Sequence, residues 1–381
     1  MSLEESRFRP LTALRVADLE AIRLLLRGGS VIDWHRLDFE DMEQVQRFLR
    51  AQEIDLGDAS DRARSEAVKN SAIAYLRRNF DFPIPKPVTR SDVAELMLLA
   101  STKGHRQLCA CTILKVMHII HHLEARELLF MLPTSDEDAF HLVEKKIYRV
   151  VGGALAQGFP IVEFIGGRKN RDSLFTKLLS KPEVTAAQVY DKVRFRIVTR
   201  SPEDVFPMLA YLMDELFPFN FVIPGESTNT LVPFRRYCEA DPHLRTLLPR
   251  LQFPPDLEEV ERGNLDNVFS APSYRVVHFV ADMPVRMPEE LLENAPPAAW
   301  ALGRVVFVQT EFQVLDQSTD HDNEIGEASH EAYKARQQVA VQRRLKVGAE
   351  QPAEKTRSRR RSSKPPSQRP SSGSKRKKSA E

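Results

Sequence analysis

Hydrophobic positions change their period once along this chain, near residue 157. From Leu14 to about Ala156, apolar residues recur at three- and four-residue spacing, as in Ala17 to Arg27 and the long stretch Gln107 to Met131, which predicts helices. Ser91 before Asp92, and Thr134 with Ser135 before the acidic run Asp136 to Asp138, read as helix starts. Short polar side chains accept from the open N–H groups there, and negative charge suits that end of a helix. Pro83, Pro85 and Pro87 split the region into two helical halves. From Ile161 onward the texture is different. Val193 to Val198, Phe219 to Ile223, Tyr274 to Ala281 and Val305 to Leu315 are short and rich in β-branched and aromatic residues, which predicts strands. Helices are expected at Arg171 to Ser180, Glu203 to Leu216 and, closing, Glu324 to Arg344; Gly152-Gly153 and Gly166-Gly167 read as turns.

That order predicts an α+β fold with a mostly antiparallel mixed sheet flanked by helices. The expected organisation is a helical N-terminal region at 1–156, an α+β domain at 157–346 with a proline- and charge-rich insertion near 235–267, and a tail at 347–381.

Charge sharpens the picture of the tail. Residues 349–381 hold eleven Lys or Arg and three Glu, a local +8 within a chain of formal charge +2, so the remaining body is near −6. With Arg357, Arg359 to Arg361, Lys364 and Lys375 to Lys378 set among Ser, Pro and Gly, the tail lacks the apolar residues that offset ordering entropy and is expected to be disordered. It reads either as an arm for RNA or another polyanion or as a solubilising extension. An acidic body argues against a general nucleic-acid surface, although a local basic pocket for phosphates is compatible with it. Three cysteines, Cys109, Cys111 and Cys238, make no disulfide framework and read as buried apolar residues in a reducing compartment. The charged start Met1 to Pro10 and the lack of a long uncharged apolar run lead to the expectation of a cytoplasmic protein without membrane association.

Four segments concentrate groups suited to phosphate chemistry. In Gly167-Arg168-Lys169-Asn170-Arg171-Asp172-Ser173-Leu174-Phe175-Thr176-Lys177, the residues Lys169, Ser173 and Lys177 are four apart and share a helical face. Two ammonium groups and a hydroxyl near a helix start suit a polyphosphate, and equally suit a solvated basic helix end. In Tyr190-Asp191-Lys192-Val193-Arg194-Phe195-Arg196, the alternation sets Arg194 and Arg196 on one strand face, while Asp191 reads as a metal ligand or a turn residue. Ser273-Tyr274-Arg275-Val276-Val277-His278 sets Tyr274, Val276 and His278 on one face, as a binding strand or as core. Thr310-Glu311-Phe312-Gln313-Val314-Leu315 turns Glu311 and Gln313 to one side, followed by Glu324 to Lys334 with His330 and Tyr333. His118, His121 and His122 share one helix but read as packing among Met117, Ile119 and Ile120. No Walker A loop, GxGxxG or GxSxG occurs.

Taken together and in this order, the four segments resemble the nucleotidyltransferase-like synthetase domain of the RelA/SpoT alarmone family, over about residues 160–335. They are similar to its RxKxxxSxxxK, D-L-x-x-x-R-I-V, Y-x-S-x-H and E-x-Q-x-R-T motifs, the last followed by A-E-x-G-x-x-x-H-x-x-Y-K. The resemblance implies a Mg2+-dependent nucleotidyl or pyrophosphoryl transferase of the guanosine tetraphosphate type, acting on ATP and a ribose hydroxyl of an acceptor nucleotide or RNA. Carried over residue by residue, it implies Asp191 and Glu311 as catalytic metal ligands. Arg168, Lys169, Ser173, Lys177, Arg194, Arg196, Tyr274, His278 and Gln313 become nucleotide contacts. The chain departs from the pattern at Leu315, where the family has an arginine, at Asp316 for a threonine, and at Pro272-Ser273 for an Asn-Gly pair. Those departures keep open a catalytically inactive nucleotide- or RNA-binding regulatory protein on the same fold.

Overall fold

The computed structural model describes residues 8–181, 192–251 and 269–347. Seven helices come first: α1 (Val16–Arg27), α2 (Met42–Ala51), α3 (Ala59–Phe80), α4 (Lys86–Arg90), α5 (Val93–Ala100), α6 (His105–Met131) and α7 (Asp136–Ala156). Ser135 caps α7 by accepting from Asp138 N, as its sequence predicts, whereas α5 is capped by Asp92, accepting from Glu95 N, one residue after the expected Ser91. Next come β1 (Ile161–Arg168), α8 (Arg171–Ser180), β2 (Val193–Thr199) and α9 (Val205–Glu215). β3 (Thr228–Asn229), α10 (Phe234–Ala240) and α11 (Pro242–Leu247) precede β4 (Val277–Arg286) and α12 (Glu289–Glu293). The described chain ends with β5 (Val305–Asp316), α13 (Gln317–Glu324) and α14 (His330–Lys346).

The five strands form one mixed sheet in the order β1-β2-β5-β4-β3. Only β2 and β5 run parallel; the other pairs are antiparallel. On its inner face, Phe164, Phe195, Phe312 and Phe279 form an aromatic line across four strands, with ring centroids 5.7, 6.0 and 5.3 Å apart. Gly166 sits opposite Phe195 in this line, and a Cβ there would lie 2.5 Å from Tyr148 Oη and 2.7 Å from Phe195 Cε1. Glycine is therefore what lets α7 close on β1.

Two hydrophobic cores result. One joins α1, α7 and α9 to the inner face of the sheet, and the other packs α2, α3, α5 and α6 around Trp34. Between them, buried Lys146 of α7 reaches Glu53 Oε1 at 2.7 Å and donates to Pro284 O of β4 at 2.9 Å. Burial lowers the Lys146 pKa and Glu53 counters it. Helix α6 is long and apolar enough, by length and composition alone, to cross a bilayer, whereas the sequence reading saw no such run. In the fold it packs against α3, α5 and β5.

Several expectations are corrected. Phe219–Phe221 is a short 3-10 helix entered from Pro218, and Val222 makes an isolated bridge to Ala281 where a strand was expected. Gly152 and Gly153 lie inside α7, and Gly166 and Gly167 inside β1, so neither pair is a turn. The closing helix is broken between Ile325 and Ser329, where Gly326 takes a φ of 69°. In the expected insertion, residues 235–251 are largely helical, while 252–268 lie outside the described residues, as does 348–381, nearly the whole basic tail.

Candidate functional site

Strand alternation on β2, β4 and β5 drives phenylalanine and valine inward and leaves polar side chains on the opposite sheet face. Register aligns them in two rows. Gly167, Arg194, Glu311 and Val280 pair across the first, and Ile165, Arg196, Gln313, His278 and Thr228 across the second. Five predicted site residues, Arg194, Arg196, Glu311, Gln313 and His278, therefore share one patch contributed by three strands.

Glu311 is only 6% exposed, the lowest of these. It accepts from Gln313 Nε2 at 2.7 Å and lies 3.4 Å from His278 Nε2. Arg196 binds Asp320 of α13 and lies 3.6 Å from Glu324 Oε1, while its buried Nε has no partner among the described residues. Tyr274 precedes β4 in a turn closed by its own N–H on Ala271 O at 3.0 Å. Burial raises the Tyr274 pKa; Arg196 opposes that, and Glu311, Asp320 and Glu324 add to it, which sets the phenol among the patch's charges. His330, at the start of α14, has its pKa lowered by burial and then by Lys334 and Arg194, so this helix end borders the same face.

Asp320 and Asn323 were not anticipated as site residues. Asn323 accepts from Arg275 N at 3.0 Å and donates to Arg275 O at 2.7 Å, pinning the Tyr274 segment to α13. Asp316 caps α13 by accepting from Ser318 N and Thr319 N, both at 3.1 Å. Burial works against its ionisation, yet the Ser318 and Thr319 hydroxyls, each at 2.6 Å, hold its pKa below the usual value. A polar run directly after a strand, Asp316-Gln317-Ser318-Thr319-Asp320, was the available signal for this capped helix.

The first basic segment divides. Arg168 turns to the inner side, bridging both carboxylate oxygens of Glu144 at 2.7 and 2.8 Å, pairing with Glu137, and lying over the Phe140 ring. Lys169 follows β1 with its N–H on Lys192 O at 3.0 Å, and α8 begins beside the Gly167–Arg194 row, capped by Asn170, which accepts from Ser173 N at 2.8 Å. Ser173 and Lys177 lie one turn apart on α8, both partly exposed. Asp191 lies outside the described residues.

Among the described residues, no three His, Cys, Asp or Glu side chains gather closely enough to hold a metal ion. Of the predicted ligand pair, Glu311 lies on this face beside the Asp320 and Glu324 carboxylates that engage Arg196, and Asp191 is outside the described residues. The histidines of α6 sit elsewhere, His122 Nδ1 being 3.2 Å from Asp282 Oδ2 and its ring stacked on Phe307. Burial, followed by the neighbouring histidines, lowers the His118 pKa to about 2; burial, followed by His122 and Arg64, lowers that of His121 to about 3. All three cysteines are buried and none forms a disulfide.

No family profile and no curated protein matches the sequence. Solved structures do. The small alarmone synthetase 1 of Bacillus subtilis matches at 14% identity over 56% of this chain and 88% of that one, with a TM-score of 0.29. Small alarmone synthetase 2 of the same organism matches at 15% over 59% and 95%, also with a TM-score of 0.29. A GTP pyrophosphokinase family protein of Streptococcus pneumoniae matches at 14% over 56% and 85%, with a TM-score of 0.25. At such TM-scores the reading of the site rests on its own geometry.

Proposed function

We propose that the chain is a nucleotidyl or pyrophosphoryl transferase that moves part of ATP onto a ribose hydroxyl of a second nucleotide or of RNA. The observation that carries this reading is the two-row patch. It unites a buried carboxylate, two arginines, an imidazole and an amide on one sheet face, with Tyr274 and the start of α8 at its border. Phosphoryl transfer asks a protein mainly for positioning and charge neutralisation, which such a patch can supply.

In the pyrophosphoryl version, the acceptor oxygen bonds to the β-phosphorus of ATP, the bond from the β-phosphorus to the α,β-bridging oxygen breaks, and AMP leaves. Glu311 takes the hydroxyl proton. Lys169, Ser173, Lys177 and Arg194 hold the triphosphate, and His278 and Gln313 orient the phosphate under attack. Tyr274 offers a flat surface for the acceptor base. Asp191 and Glu311 would hold a magnesium ion, whose role when bound is to neutralise phosphate charge.

The test is transfer of label from β-labelled ATP, with magnesium, onto GDP, GTP, AMP, ADP and bulk tRNA. A labelled acceptor that disappears in Glu311→Gln and Asp191→Ala, at unchanged thermal midpoint, supports the reading and names the acceptor. Absence of transfer to every acceptor overturns the pyrophosphoryl version.

A second reading, a binding protein on the same fold, is favoured by one observation. Arg168 and Arg196 are both already engaged by carboxylates. Saturable nucleotide binding without turnover would select it.

A further inference from the structure

Helix α13 carries no apolar side chain: it reads Gln317-Ser318-Thr319-Asp320-His321-Asp322-Asn323-Glu324. A helix that is polar all round has no apolar stripe to bury, so its place on the sheet depends on polar contacts. Three anchors supply them, and each belongs to a different strand. Asp316, the last residue of β5, caps the helix start. Asp320 binds Arg196 of β2, and Glu324 Oε1 lies 3.6 Å from the same guanidinium. Asn323, three residues after Asp320 and so on the same side of the helix, holds both backbone groups of Arg275 on the approach to β4.

Arg196 belongs to the second row of the patch, beside Gln313, yet its guanidinium is turned to α13. The Arg196 and Asp320 side chains are each only 22% exposed, and Asn323 is 3% exposed. Removing one member of a partly buried pair leaves the other charge without compensation, so this link is worth more than an exposed ion pair. Tyr274 stands at the far end of the same chain of contacts, one residue before Arg275. Burial first, and then the charges of Arg196, Glu311, Asp320 and Glu324, act on its phenol, which sets the ring beside the junction of β2 and α13.

We propose that Arg196 and Asp320 are positioning residues for the acceptor: their pair fixes α13 on β2, and α13, through Asn323, fixes where Tyr274 presents its ring to the acceptor base. The inference rests on the transfer reading for what meets Tyr274, while the link from Arg196 to the Tyr274 turn stands on the contacts alone.

The experiment reverses the pair in the full chain. Arg196→Asp should raise amide hydrogen exchange at Arg275 by about tenfold or more, and Arg196→Asp/Asp320→Arg, which can bridge the same two elements, should bring it back to within about threefold of the parent. In transfer from β-labelled ATP, the single variant should raise the KM for the acceptor by about tenfold with the KM for ATP within about twofold, and the reversed pair should recover the acceptor KM. If Arg196→Asp does not fold, Asp320→Asn, which keeps the shape and removes the charge, is read in the same way. Parental exchange at Arg275 in the single variant, no recovery in the reversed pair, or a KM change confined to ATP overturns the proposal. A parent that labels no acceptor sinks the transfer reading and the acceptor role with it, and hydrogen exchange then decides the link by itself.

Discussion

Asn323 shows how a single amide can position a site it does not enter. Its two bonds to the Arg275 backbone hold the Tyr274 turn, which no strand ladder supports, against α13. Asn323→Ala should leave the global free energy of unfolding within about 1–3 kcal/mol of the parent while raising amide hydrogen exchange at Arg275 by about tenfold or more. Protection at Arg275 equal to that of the parent would show that the turn is held by other means. The same-strand pairs Arg194 with Arg196 and Glu311 with Gln313 were legible because a period of two needs no knowledge of the fold, whereas their union with His278 on one face comes from the register of β2, β5 and β4. The side taken by Arg168 was not, since it depends on β1 running to Arg168 and pairing it with inward-facing Val193. Asp320 and Asn323 escaped because their value depends on α13 turning back over β2, a contact that no local pattern encodes.

Secondary-structure elements with a strong period were the most readable: α6, α8, β2 and β5 all lie within a residue or two of their expected limits. Those that failed depended on packing. Gly166-Gly167 has the composition of a turn, yet the tight approach of Tyr148 makes glycine a requirement of β1. Gly166→Ala should lower stability by about 1–3 kcal/mol through forced displacement of Tyr148 or Phe195, read as a fall in urea midpoint at unchanged slope. Helix α6 carries a pH response. His118 and His121 have folded pKa values of about 2 and 3, below the unfolded value near 6.5. The unfolded chain thus binds protons first on acidification, so stability is complete above about pH 6.5 and declines as pH falls below it. Between pH 7.5 and pH 5 each histidine should remove about 1–2 kcal/mol. The double variant His118→Asn/His121→Asn should show a flatter dependence of urea midpoint on pH.

Two cores joined through Lys146 and Glu53 make the helical half and the sheet mutually dependent, since α7 sits in the sheet's core while its lysine reaches the loop after α2. The broad class of the molecule was legible from the change of period near residue 157, but this joint was not, because a lone lysine on an amphipathic helix looks like any solvated one. Strand order carries a different lesson. β5 is the last of the described strands in sequence and lies at the middle of the sheet, between β2 and β4. During synthesis, β1 and β2 emerge as a lone antiparallel pair whose next neighbour has not been made, and a pair of that size is marginal in water. The nascent sheet must therefore wait, exposing Phe195 and Ile197, until residue 316 clears the ribosome tunnel. Stalled chains ending before Val305 should be cut by protease throughout residues 161–286, and chains ending beyond Lys346 should resist. Early resistance of the shorter chains would mean that β1, β2 and β4 find a temporary partner among the helices.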